Sequence, residues 1–309
     1  MTLQLGVKSD PVEYRYTFDW LFALMRSLGL HYLQLGTFFE MYGLSDAYFL
    51  ELRDLAKSYD VVIKSVFTTH RELGGFFTGN GHMERVARSN FERLIAIAGV
   101  LGAGYVGSNP GSVPRDRISL KNSGIRTYLK HMKELQHIAK ACGLEALTME
   151  PMSSSAEPPA YPLEIEQMCR ELGEYHQGNQ SSTVPVYLCG DIAHGIADRD
   201  RRVIHSNEEL FEFCIPWMCE FHFKNTDAVF ESTFGFSEPE SKRGVVNLRQ
   251  LDRIMTKHAD DWPVSEVVGY LEMGGPKLGR EYSDHLLEGQ LRASIAGIRE
   301  GITFGSKTR

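Results

Sequence analysis

Four short stretches put a side chain that can bind a metal or move a proton at the end of an apolar run: Glu150 in LTMEP, Asp191 in CGDIAHG, His222 in FHFKN and Glu272 in GYLEMGG. An oxygen-rich set with a single imidazole nitrogen suits Mn²⁺ first, with Mg²⁺ or Co²⁺ as close alternatives, better than it suits a Cys/His structural zinc centre. Bound there, a divalent cation would act as a Lewis acid while carboxylates beside it carried protons. Any one of these residues has a plain structural use, since an acid at a strand end can cap a helix or pair with a lysine. Four placed on successive apolar runs, with His194 three residues after Asp191, favour one shared site.

Sharing requires elements that bring distant strand ends together. Eight runs read as strands: Leu3 to Lys8, His31 to Phe38, Val61 to Thr69, Gly104 to Pro110, Glu145 to Pro151, Val184 to Asp191, Cys219 to Asn225 and Glu266 to Gly274. Between them lie segments with apolar residues three and four apart, such as NFERLIAIAGVLGAG and LEIEQMCRELGEYHQG, the spacing of crossover helices. Gly29, Gly102, Gly143 and Gly178 are placed to stop helices, and Ser283 or Asp284 to cap the last one. Eight strand–helix units predict an α/β chain folded as a (β/α)8 barrel, a single catalytic domain over residues 1–309, with SSSAEPPAYP and STFGFSEPESKRG as long loops at its mouth. No G-x-G-x-x-G follows the first strand, which argues against a doubly wound nucleotide-binding sheet.

Composition narrows the functional class. The 309 residues are 42% hydrophobic and 24% charged, with a formal net charge of -7, which disfavours a nucleic-acid binder that relies on a global positive field. No apolar run approaches the roughly 18 residues of a membrane span, and MTLQLGVKSD lacks the build of a secretory signal, so a cytoplasmic protein is expected. Five scattered cysteines without a C-x-x-C pair, Cys189 among them, read as reduced core residues.

With these residues in view, the chain resembles the xylose-isomerase-like barrel superfamily over nearly its whole length, particularly the metal-dependent ketose 3-epimerases and sugar-phosphate isomerases. The resemblance implies that Glu150, Asp191, His222 and Glu272 bind one divalent ion. It further implies that Glu150 and Glu272 act as acid and base on opposite faces of the reacting carbon, through a cis-enediolate, and that His194 contacts substrate. Homo-oligomers are common in that superfamily, so an oligomer is expected. The arginine that these epimerases carry shortly after the ligand histidine is not evident, and HFKN offers Lys224 instead.

The predicted mouth loops are rich in cations: Lys8, His70, Arg71, Arg115, Arg117, Lys224, Lys277 and Arg280. With Asn109 in SNPGS, the glycines of GGPKLGR, and Glu157, they form a candidate substrate-binding set that tilts the expected ligand toward a sugar phosphate, a short tetrulose phosphate being one candidate for 3-epimerisation. Phe38, Phe39, Phe76 and Phe77 are equally suited to wall a pocket or to pack beneath loops. A dehydratase or other lyase starting from the same enediolate is the nearest rival. An endonuclease IV-like nuclease and a non-catalytic binding protein are more distant ones.

Overall fold

The computed structural model describes residues 1–36, 38, 40–68 and 73–305. Its eight principal strands are β1 (Thr2–Lys8), β2 (Tyr32–Gly36), β3 (Val62–Thr68), β4 (Tyr105–Ser108), β5 (Ala146–Met149), β6 (Val186–Asp191), β7 (Met218–Phe223) and β8 (Glu266–Leu271). They form a closed barrel in the order β1-β8-β7-β6-β5-β4-β3-β2. The helices that follow them are α1 (Phe18–Ser27), α2 (Asp46–Ser58), α3 (Gly81–Leu101), α4 (Lys121–Ala141), α5 (Pro162–Gly178), α6 (Asn207–Cys214), α7 (Leu248–Lys257) and α8 (Leu287–Gly301). This is the (β/α)8 architecture that the alternation predicts; most strands are one to three residues shorter than their apolar runs, while β1 begins one residue earlier.

The chain divides into two compact units. The first comprises Met1–Gln34, Leu55–Val62 and Gly190–Arg309. Within it, β1 lies parallel to β8 from Thr2↔Glu266 to Val7↔Leu271 and to β2 from Gly6↔Tyr32 to Lys8↔Gln34, while β8 pairs with β7 through Tyr270↔His222. Side chains two apart on a strand share a face. Gly6 and Lys8, Gln34, His222, Tyr270 and Glu272 therefore recur along one face, and the register brings Lys8 beside Gln34 and His222 beside Tyr270. Gly6 is needed for this packing, because a Cβ there would stand 2.6 Å from the Tyr270 ring.

The second unit comprises Leu35–Asp54 and Ile63–Cys189. Here β3, β4, β5 and β6 pair in sequence, again all parallel. At Gly107 the absence of a side chain admits Thr148, whose hydroxyl oxygen would lie 2.0 Å from an added Cβ. The strands of this unit are almost wholly buried, as parallel strands covered by helices on their outer face should be.

Local chemistry sets the helix ends. Thr17 Oγ1 accepts from the Trp20 amide at the start of α1, Asn80 Oδ1 from the His82 amide at α3, and Ser206 with Glu209 forms a capping box at α6. Gly102 closes α3 with φ +73°, and Gly29 and Gly143 also take left-handed conformations. Gly178 does not act as a stop of this kind; it is the last residue of α5, and Asn179 follows as the cap. Nor do Ser283 and Asp284 cap the final helix. They belong to a separate short turn, Glu281–Asp284, and α8 begins after Leu286 without a side-chain cap. Burial of Leu287, Leu291, Ile295 and Ile298 along one stripe holds α8 in place, at roughly 1.5–3 kcal/mol per side chain.

Cys169, Cys189, Cys214 and Cys219 are buried, whereas Cys142 is only half-buried. Phe76 and Phe77 are packing residues rather than pocket walls: Phe76 stacks on His131 with ring centres 4.8 Å apart, and both rings lie against Tyr128. Phe38 is half-buried against Tyr48, and Phe39 lies outside the described residues. After β6 the chain adds an antiparallel ribbon, Ile196–Ala197 with Val203–His205, which the apolar pattern does not announce. Among the described residues no helix is long and apolar enough to cross a membrane.

Candidate metal centre

Asp191 is the last residue of β6, His222 the fifth of six in β7, and Glu272 follows directly on β8. Glu150 stands in the same position relative to β5. All four are buried, and each offers one ligand atom, a carboxylate oxygen or an imidazole nitrogen, within 4.8 Å of the others. The period of two aims each side chain, and all four lie within two residues of the last position of their strands.

The imidazole is held in a defined orientation. His222 Nε2 lies 2.8 Å from Gln34 Oε1, and with that amide oxygen as acceptor the ring carries its hydrogen on Nε2. Nδ1 then faces the carboxylates, 3.2 Å from Glu272 Oε2 and 3.8 Å from Asp191 Oδ2. Asp191 is fixed from its other oxygen, Oδ1, which accepts from the Ala193 amide at 2.7 Å. Asp191 Oδ2 and Glu272 Oε2 are buried and make no directional hydrogen bond, although both face charged neighbours. A nitrogen lone pair and three carboxylates, two of them with an oxygen so disposed, form a donor set that fits a divalent cation.

Two buried lysines adjoin this set. Lys8 is fully buried, with Nζ 2.9 Å from Glu272 Oε1 and 3.1 Å from Asp10 Oδ2. Lys224 Nζ lies 2.5 Å from Asp191 Oδ2, 3.4 Å from Glu272 Oε2 and 3.0 Å from His194 Nε2. Burial alone would raise the Glu272 carboxyl, but Lys8, Lys224 and His222 outweigh it and hold the group well below the usual carboxylate range. Asp191 follows the same pattern: desolvation pushes it up, while the neighbouring His194 and Lys224 bring it down further. Asp10 goes the other way, raised by burial and by the Glu272 charge despite Lys8.

The remaining candidates divide by position. His194 joins the cluster, with its Nε2 3.3 Å from Asp191 Oδ2. Asn109 and Glu157 are buried on the loops after β4 and β5. Arg115 and Arg117 are exposed after β4, and Lys277 and Arg280 are exposed after β8. His70 and Arg71 lie outside the described residues. Sequence reasoning missed Gln34 and Asp10, the partners that orient His222 and Lys8. Gln34 carried a readable signal, since it is a polar residue in the apolar run YLQLG, the same type of interruption that marks His222.

Residues 22–286 match the model of the family described as xylose isomerase-like TIM barrel. No curated protein matches the sequence. Among solved structures, a candidate xylose isomerase from Rhodospirillum rubrum superposes with a TM-score of 0.76 at 18% identity, over 96% of this chain and 99% of its own. D-psicose 3-epimerase from Clostridium cellulolyticum gives 0.67 at 14% identity, over 97% and 99%. A candidate 3-DHS dehydratase from Bacillus anthracis gives 0.63 at 12%, over 94% and 97%. At these identities the likeness is one of fold. The extent of the family match, together with a closed parallel barrel bearing acidic and imidazole donors at its strand ends, establishes that the chain belongs to the xylose isomerase-like TIM barrel family.

Proposed function

We propose that this chain is a divalent-metal-dependent epimerase or isomerase of a ketose or ketose phosphate, and that the whole chain serves as one catalytic domain. The observation that carries the reading is the convergence of Glu150, Asp191, His222 and Glu272, from four strand ends, within 4.8 Å. Those four side chains would hold the cation, with Mn²⁺ the best match to three carboxylates and one imidazole. When bound, it supplies Lewis-acid stabilisation of negative charge on the sugar oxygens.

The chain's own groups then divide the work. Glu272, kept ionised by Lys8 and Lys224, enters as a carboxylate able to accept the proton beside the carbonyl, and Glu150 is the second carboxyl needed to return one. Asp191 and His222 serve as ligands, with Gln34 fixing the imidazole tautomer. His194 and Lys224, 3.0 Å apart, present a polar pair to substrate oxygens. Burial of the whole group limits water around the reacting carbon.

The test is a panel of ketoses and their phosphates incubated with Mn²⁺-loaded protein in deuterated water. Epimerisation places deuterium on one carbon and leaves the molecular composition otherwise unchanged, and both Glu150→Gln and Glu272→Gln abolish the exchange. A sugar dehydratase is the second reading, favoured by the dehydratase among the structural neighbours, and it would lose water instead. Turnover that survives both substitutions would refute the assigned proton transfers.

A further inference from the structure

The loops after β4 and β5 hold a polar cluster that the proton-transfer chemistry does not use. Arg115 Nη1 donates to Ser112 Oγ at 3.1 Å and to the Val113 carbonyl at 3.2 Å, while Nη2 donates to Ser154 Oγ at 3.1 Å. A serine oxygen that accepts from a guanidinium keeps its own O–H proton for another acceptor. Both hydroxyls therefore have a donor to offer beside a positive charge, and Arg115 retains Nε–H and a second N–H on Nη2. The Arg115 side chain is 60% exposed, so this fork of donors is open to solvent. Nη2 also makes a long ion pair with Glu157 Oε1 at 4.0 Å, beyond hydrogen-bonding distance.

The surroundings are those of a binding site. Ser112, Val113, Pro114 and Arg115 line an open cavity of about 470 Å³ together with Gly74, Gly75, Thr78 and Met83. At the end of β4, Ser108 Oγ and Asn109 Oδ1 are buried without a hydrogen-bond partner among the described residues. Lys277 and Arg280, by contrast, are exposed on the loop after β8 and are not gathered with serines in this way.

We propose that Arg115, Ser112 and Ser154 form the subsite for an anionic group on the substrate, a phosphate ester or a carboxylate. The inference rests on the sugar-processing reading for the identity of the rest of the ligand, whereas anion binding itself stands apart from turnover. A planar guanidinium flanked by two hydroxyl donors matches a tetrahedral or planar oxyanion better than a lone lysine would.

Titration calorimetry of the Mn²⁺-loaded protein with inorganic phosphate and, separately, acetate tests the subsite and distinguishes the two anion classes. The tighter of the two should weaken about 10- to 100-fold in Arg115→Ala, with part of the affinity kept in Arg115→Lys and a smaller loss in Ser154→Ala. With a turned-over substrate, Arg115→Ala should raise KM for the anionic ketose about 10- to 100-fold more than it raises KM for the uncharged ketose. Neither anion binding in an Arg115-dependent way, with KM for charged and uncharged ketoses equally indifferent to Arg115→Ala, would overturn the proposal and leave Arg115 as a strap between two loops. Arg115-dependent binding in a protein that turns over no ketose would keep the subsite and discard the epimerase reading.

Discussion

Replacing Lys8 with methionine tests the electrostatic design of the centre. Its ammonium is fully buried between Glu272 Oε1 at 2.9 Å and Asp10 Oδ2 at 3.1 Å, so the substitution leaves two carboxylates without a cation they share. Removing one partner of a buried ion pair costs about 3–5 kcal/mol. Lys224 Nζ, 3.4 Å from Glu272 Oε2, and the His222 imidazole still compensate part of the charge, which favours the lower end of that range. Methionine preserves the volume, so little of the loss should come from packing. Urea unfolding of protein freed of metal with a chelator should therefore show a loss of about 3 kcal/mol for Lys8→Met at pH 7. Adding Glu272→Gln to Lys8→Met should return about 1–2 kcal/mol, because the stranded charge is gone.

The pH dependence carries the sign. Glu272 in the native protein is held well below its ordinary 4.5, so its contribution to stability is present above that value and is lost as pH falls through the lower native pKa. Without Lys8 the carboxyl rises and picks up its proton earlier, so the gap between native and variant proteins must narrow as pH drops from 7 toward 4.5. A loss under about 1 kcal/mol, unchanged over that interval, would refute the assignment of Lys8 as the counter-ion of the site.

Gln34→Leu, which removes the acceptor for His222 Nε2–H, should lower Mn²⁺ affinity about 10- to 100-fold by calorimetry while the fold is retained. Gly107→Ala should destabilise the barrel by about 1–3 kcal/mol in the same urea assay, since the new Cβ meets the Thr148 hydroxyl and carbonyl. At the surface, hydrogen bonds to Asp261 and Glu212 outweigh burial and raise the His258 pKa. Its stabilisation is therefore full below the unfolded value of about 6.5 and declines as pH rises through the higher native pKa. His258→Gln should remove that slope in thermal melts, an effect of at most about 1 kcal/mol.

The sequence made the barrel legible because each strand is an apolar run bounded by a change of period, and four of the polar residues near the ends of those runs, Glu150, Asp191, His222 and Glu272, offer donor atoms within 4.8 Å of one another. Edges were harder. The helix read from Asn90 onward begins at Gly81; its first turns hold Met83 and Val86 among His82, Glu84 and Arg85, and both apolar side chains are exposed, so this part of the helix contributes little to the buried stripe that reveals the rest. Phe76 and Phe77 were ambiguous for a different reason: an aromatic pair in a glycine-rich loop has the same local pattern whether it faces a cavity or the top of α4, and contact with Tyr128 and His131 decides the matter. Gln34 acts through a partner 188 positions away, a pairing that no local spacing encodes, whereas Asp10 pairs with Lys8 only two residues before it and gains its place through the shared contact with Glu272.

That remoteness has a consequence for how the protein comes into being. Lys8 is separated from Glu272 by 264 positions, and Gln34 from His222 by 188. A nascent chain emerging from the ribosome carries the first members of both pairs long before their counterparts exist, and contacts of such long span are slow to form because ring closure must precede any reward. The strand β8, which pairs with β1, is made after the other seven, so assembly of the polar heart must wait for it, and a chain interrupted before residue 272 would leave a buried lysine with half of its acidic company missing.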